Sequence, residues 1–157
     1  MKKLCIILTL ALSLCVAIPA IAVEITGLVF SEELAGEYGI WKPVTNQFRL
    51  GDSCFVIVPF KEVTMITEPL PQIGIEAFLT LIAPDGTKVY DNAGTGLYDK
   101  PSPTFDPERA TFYVELNMLP WLPPGEYIIE IVICDHLNDT ASFIQATFYI
   151  SALPKDC

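Results

Sequence analysis

One short stretch, Leu122-Pro123-Pro124-Gly125-Glu126-Tyr127, constrains this chain more than any other. Two prolines remove backbone donors and fix φ, and the glycine after them admits conformations closed to other residues. No helix or strand continues through that combination, so the chain turns there. The residues that follow, Ile128, Ile129, Ile131, Val132 and Ile133, are β-branched and favour a buried strand. The polar segment Asp135–Thr140 separates this run from a second, Ala141–Ile150, and the two read as a hairpin. Tyr127 opens the first strand right after the turn, where its hydroxyl is placed to bond the backbone of the corner.

The rest of the chain repeats the β theme. No helical periodicity of useful length follows residue 22, and prolines punctuate short β-rich runs. Val23–Phe30, Cys54–Phe60 and Ile73–Ala83 read as strands. Pro84-Asp85-Gly86-Thr87 is a hairpin turn with Lys88–Asp91 returning from it. Ser31–Thr45 and Asn92–Arg109 read as irregular connections. Ala110–Met118 sets Phe112, Val114, Leu116 and Met118 on one face and Thr111, Tyr113, Glu115 and Asn117 on the other, the pattern of a strand with one buried and one wet face. With the closing hairpin this makes seven strands, lettered A, B, C, C′, E, F and G. The expected class is all-β, an antiparallel β-sandwich.

The corner formed by Leu122, Pro124, Gly125 and Tyr127 resembles the one before strand F in fibronectin type III and immunoglobulin-like domains. Phe48-Arg49-Leu50-Gly51-Asp52 before strand B, Ala83–Thr87 after strand C, and the hairpin Tyr127–Ile150 are similar to secreted bacterial and archaeal immunoglobulin-like modules, macroglobulin-type ones included. The resemblance covers Phe48–Ile150. It implies an immunoglobulin-like sandwich of about seven strands in an extracytoplasmic setting. It implies no activity, because such sandwiches host many. Strand C carries no tryptophan, so antigen recognition is not carried over.

The N-terminus reads as a processing segment. Lys2 and Lys3 precede the apolar run Leu4–Ile18, and Pro19 leads to the small residues Ala20 and Ala22, so residues 1–22 form a secretory signal cleaved after Ala22. The run is shorter than the ~20 residues of a membrane span, so no stable membrane insertion is expected after cleavage. Val23–Cys157, 135 residues, then forms one domain, secreted or periplasmic. It carries seven basic and nineteen acidic residues, a net charge of −12. That balance disfavours nucleic acid and anionic lipid as partners.

Cys54, Cys134 and Cys157 remain after cleavage, in a compartment where disulfides form. In an immunoglobulin-like topology strands B and F run the same way. Cys54 opens B and Cys134 ends F, which separates them by about 20 Å. A disulfide needs Cα atoms within about 7 Å. Strand G runs back, so Cys157 comes within reach of Cys54. The expected pair is Cys54–Cys157 with Cys134 free; three reduced thiols are the other open state.

Catalytic and metal chemistry find little footing. His136 is the only histidine and sits in the F–G turn, and no glycine-flanked serine lies at a strand-to-helix elbow. No catalytic residue is assigned, and the chain is read as non-enzymatic. A blue-copper site wants a second histidine, and zinc spacings are missing, so no metal or cofactor is assigned. Asp135, Asn138 and Asp139 have oxygens suited to calcium, but short polar residues also build ordinary turns, which is the reading taken. Asn138-Asp139-Thr140 is an N-glycosylation acceptor sequence.

Side-chain direction points instead to a binding face. An unpaired buried carboxylate is costly, so Glu130 faces water. That turns Tyr127, Ile129, Ile131 and Ile133 inward and Ile128, Val132 and Cys134 outward. In strand G, Ile144, Ala146, Phe148 and Ile150 make the inner face and Phe143, Gln145, Thr147 and Tyr149 the outer. In strand C, Glu76 puts Phe78 and Thr80 outside. Neighbouring strands C, F and G then share an outer face carrying Phe78, Ile128, Val132, Phe143 and Tyr149. An apolar surface of this kind fits a protein partner or a second copy of the chain. The alternative is a carbohydrate or other envelope ligand held by the exposed aromatics Tyr38 and Trp41. Trp121 is expected to plug the end of the core.

Overall fold

The corner turns as its prolines and glycine require. In the computed structural model, which describes residues 22–33, 43–95 and 105–152, the Leu122 amide donates to the Leu119 carbonyl at 3.0 Å. The Tyr127 hydroxyl donates to the Pro123 carbonyl at 2.7 Å, and its ring is fully buried. Gly125 adopts φ +142°, and a Cβ there would stand 2.5 Å from Pro84 Cγ, so this position takes only glycine.

From that corner the strands fall into two layers. The described residues form β1 (Glu24–Ile25), β2 (Val29–Ser31), β3 (Gln47–Arg49), β4 (Ser53–Lys61), β5 (Met65–Ile66), β6 (Gln72–Ile73), β7 (Ile75–Ile82), β8 (Lys88–Thr95), β9 (Ala110–Asn117), β10 (Gly125–Asp135) and β11 (Thr140–Ser151). One sheet has the order β3-β11-β10-β7-β8; in the other, β4 pairs with β1 and β2 along one edge and with β9 along the other. The pairings are antiparallel except β3 with β11. β5 and β6 form a separate small hairpin. The architecture is an antiparallel β-sandwich of the immunoglobulin-like kind, with β4, β7, β8, β9, β10 and β11 as strands B, C, C′, E, F and G.

Three details depart from the sequence reading. The first strand is split around Gly27 into β1 and β2. The residues leading into Gly51, to which no strand was assigned, hold β3, whose three residues pair with Tyr149, Ile150 and Ser151. β8 continues to Thr95, past the expected end at Asp91. β1, β2 and β3 have no strong periodic signature, because strands of two or three residues are set by neighbouring edges rather than by their own composition; the end of β8 is hidden by Asn92 and Gly94, residue types depleted in strands.

The core lies between the layers. Tyr127, Ile129, Ile131, Ile133 and Ile150 are 0% exposed, and Val56 and Val58 face them from the other sheet, also at 0%. Tyr127 stacks on Phe148 with centroids 5.4 Å apart, while Phe30 and Phe48 approach Phe148 edge-on at 5.7 and 5.8 Å. This aromatic group joins β2, β3, β10 and β11 across the layers. At the opposite end Asp135 is 1% exposed; its carboxylate accepts from the Thr64 amide at 2.7 Å and the Leu137 amide at 3.0 Å. The carboxylate thus fixes the loop after β4 to the end of β10. The predicted turn at Pro84–Thr87 also forms, with Gly86 at φ +83° and the Ala83 amide donating to the Thr87 carbonyl at 2.8 Å.

Candidate functional site

Regular pairing on both sides of β10 brings the outward residues into rows across three strands. Val132 pairs with Phe78 of β7 and with Phe143 of β11, so Phe78, Val132 and Phe143 lie side by side. Phe143 is 57% exposed, while Phe78 and Val132 are half-buried. Two residues along β10, Glu130 stands between Thr80 and Gln145. Ile128 follows, between Ile82 and Thr147. Tyr149, 49% exposed, pairs with Glu126 on β10 and Gln47 on β3 at the far end of the sheet. The structure therefore brings Phe78, Val132 and Phe143 into one row, and places Ile128 and Tyr149 beyond an intervening polar row.

Charges frame this face. The Thr80 hydroxyl donates to Asp91 at 3.0 Å and Lys88 reaches the same carboxylate at 3.2 Å. These bonds, the hydroxyl's first, hold the Asp91 carboxyl below its usual range. At the other end His136 Nε2 meets Glu76 Oε2 at 2.8 Å. Cys134 pairs with Glu76 in register. Burial, and then the Glu76 charge, push the Cys134 thiol up, the opposite of what a thiolate nucleophile needs. Among the described residues no group of three or more His, Cys, Asp or Glu side chains is placed to hold a metal. The Asp135 carboxylate of the possible calcium turn is spent on backbone amides instead.

The other sequence candidates fall elsewhere. Tyr38, Trp41 and Cys157 lie outside the described residues. Cys54 and Cys134 carry free thiols. Cys54 is 1% exposed, and burial followed by the Asp52 charge pushes its thiol up to about 12. The directions of β4 and β10 agree with the sequence argument: the Thr64 amide just beyond β4 bonds Asp135 at the end of β10, so Cys54, at the start of β4, is at the opposite end from Cys134. Trp121 corrects an expectation. It is 67% exposed, because Leu122 and Met118, at 6% and 2%, already fill the end of the core. Trp121 lines an apolar groove of about 410 Å³ with Leu119, Tyr90, Val89, Val114 and Leu116. Nothing in its local sequence distinguishes an outward tryptophan at this turn from an inward one.

No protein-family model matches the chain, and no curated protein matches it. Among solved structures it is similar to the C-terminal domain of Wzt, with a TM-score of 0.52 and 9% identity over 84% of this chain and 75% of that one. It is also similar to a family 123 glycoside hydrolase from Clostridium perfringens, with a TM-score of 0.46 and 10% identity over 69% of this chain and 23% of that one. A third is the PmoD soluble domain from Methylocystis sp., with a TM-score of 0.39 and 14% identity over 79% and 89% of the two chains. The likeness to the Wzt domain bears on the β fold alone.

Proposed function

We propose that the protein is an exported, non-catalytic β-sandwich module that binds a protein partner through the outer face of its five-stranded sheet. The observation that carries this reading is the row Phe78–Val132–Phe143, with Val132 on the central strand and Phe143, 57% exposed, at the β11 end of the row, beyond the reach of β3. Burying the exposed part of that residue against a partner is worth about 1–2 kcal/mol. The outward carboxylates Glu126 and Glu130 favour a partner whose apolar contact is edged by basic residues. Export is supported by the basic, apolar and small-residue pattern of residues 1–22. The secreted immunoglobulin-like modules that the corner and hairpin resemble act in that setting.

The test is a photoreactive phenylalanine analogue at position 143, expressed in the native host. The expected outcome is one discrete protein adduct, lost when Phe78→Ser is added. Adducts no more frequent than from the same analogue at exposed Glu108 would contradict the reading. A second reading, a carbohydrate or other envelope ligand, has Tyr38 and Trp41 as its sequence candidates and is favoured by the 67% exposure of Trp121 beside its groove. Saccharide quenching of tryptophan fluorescence that disappears in Trp121→Phe would support it; quenching unchanged by that substitution would shift attention to Trp41.

A further inference from the structure

The two sides of the sandwich are finished differently. On one side β1 pairs with β4, and the amides of Val23 and Ile25 donate across to the hydroxyls of Thr140 and Ser142 on β11 at 3.3 and 3.2 Å. β2 continues along β4 and β3 runs along β11, so this side is closed. On the other side lie β8 and β9, the edges of the two sheets. Sheet edges are normally blunted by bulges, charge, proline or shortness. β8 has register shifts at Ala77/Leu79 and Leu81/Ile82 and an outward Lys88–Asp91 ion pair. β9 has neither bulge nor proline. It matches β4 without a slip from Ser53↔Asn117 to Phe60↔Ala110, and nothing among the described residues pairs with its other edge.

Strand parity identifies the groups this edge presents. The Met118 amide donates to the Asp52 carbonyl at 2.8 Å. Alternate residues of an antiparallel strand aim their backbone groups to opposite sides. The even-numbered residues of β9 therefore bond β4, and Thr111, Tyr113, Glu115 and Asn117 direct N–H and C=O away from it. Their side chains are exposed, Tyr113 at 55%.

We propose that two copies of this chain pair β9 with β9, antiparallel, about a twofold axis at Tyr113. The outward backbone groups are satisfied only when odd-numbered residues oppose odd-numbered ones. Centring on Tyr113 does this and sets Thr111 opposite Glu115 of the second copy. Arg109, just before β9, then lies diagonal to that Glu115, within reach of long side chains. Arg109 and Glu115 are exposed and form no ion pair among the described residues. A strand with a base at one end and an acid at the other complements itself when antiparallel, and symmetry makes the contact twice. This edge belongs to the other sheet from the face carrying Phe143, so the proposal stands without the reading given above.

Sedimentation equilibrium of the purified protein, with Arg109→Glu, Glu115→Arg and the double reversal, tests it. The wild type dimerises. Each single reversal turns two attractions into repulsions and weakens the dimer about tenfold, and the double reversal restores it. Amide exchange at Thr111, Tyr113 and Glu115 slows as concentration rises. A protein that stays monomeric at millimolar concentration overturns the proposal. So does a dimer indifferent to both single reversals, including one abolished by Phe143→Ser instead.

Discussion

Replacing Tyr127 by Phe isolates the corner bond from everything around it. The ring is 0% exposed and stacks on Phe148 at 5.4 Å, so the substitution keeps the packing and removes only the hydroxyl that donates to the Pro123 carbonyl at 2.7 Å. A net hydrogen bond is worth about 0.5–1.5 kcal/mol. Pro123 is exposed, so its carbonyl regains water in the variant, and the expected loss is near the middle, about 1 kcal/mol. For a domain of this size that lowers Tm by about 3–5 °C. Urea melts should show a lower midpoint with an unchanged slope. Alkaline pH adds a second readout. Burial, and then the Asp85 charge, raise the Tyr127 phenol. An unfolded tyrosine ionises near pH ~10, so the wild-type contribution is whole below that pH and is lost as pH rises through the higher folded value. The phenylalanine variant lacks this loss, and the stability gap between the two proteins narrows above pH ~10. Equal midpoints at neutral pH, with no narrowing in alkali, would refute the claim that the phenol pins the corner.

Other consequences are as concrete. Phe148→Ala removes the ring at the centre of the aromatic group and should cost about 3–5 kcal/mol in urea melts. Gly125→Ala forces a Cβ to within 2.5 Å of Pro84 Cγ at φ +142° and should cost about 2–4 kcal/mol by the same assay. Asp135→Asn leaves the Thr64 and Leu137 amides one anionic acceptor short and should cost about 1–3 kcal/mol. With its thiol raised from 9.0 to about 12, Cys54 favours the folded state below pH 9. That contribution declines by about 1.4 kcal/mol per pH unit as alkali approaches the folded value. Native Cys54 should resist a thiol reagent at neutral pH until urea unfolds the chain, while half-buried Cys134 reacts first.

The parts of the fold visible in the sequence are those where one physical rule decides alone. Pro123, Pro124 and Gly125 permit nothing but a turn, Glu130 fixes which face of β10 is wet, Glu76 does the same for β7, and the apolar alternation of Ile144, Ala146, Phe148 and Ile150 does it for β11. The Pro84–Thr87 hairpin was legible for the same reason. The short strands β3, β5 and β6 were not, because two or three residues carry no periodicity. Trp121 was misplaced because its burial depends on whether Leu122 or Trp121 wins the last core seat, and the sequence around both is equally apolar. The polar row at Thr80, Glu130 and Gln145, which separates Ile128 from Phe143, was implicit in the alternation of each strand; only the register between strands showed that the three line up.

Register is the quantity on which the binding face rests, since a slip of one residue would turn every outward side chain inward. Cross-strand proton contacts in a uniformly labelled sample measure it directly. Backbone protons of Val132 should contact those of both Phe78 and Phe143. Contacts from Val132 to Leu79 or Ile144 in their place would break the row and remove the surface from which the proposed partner is read.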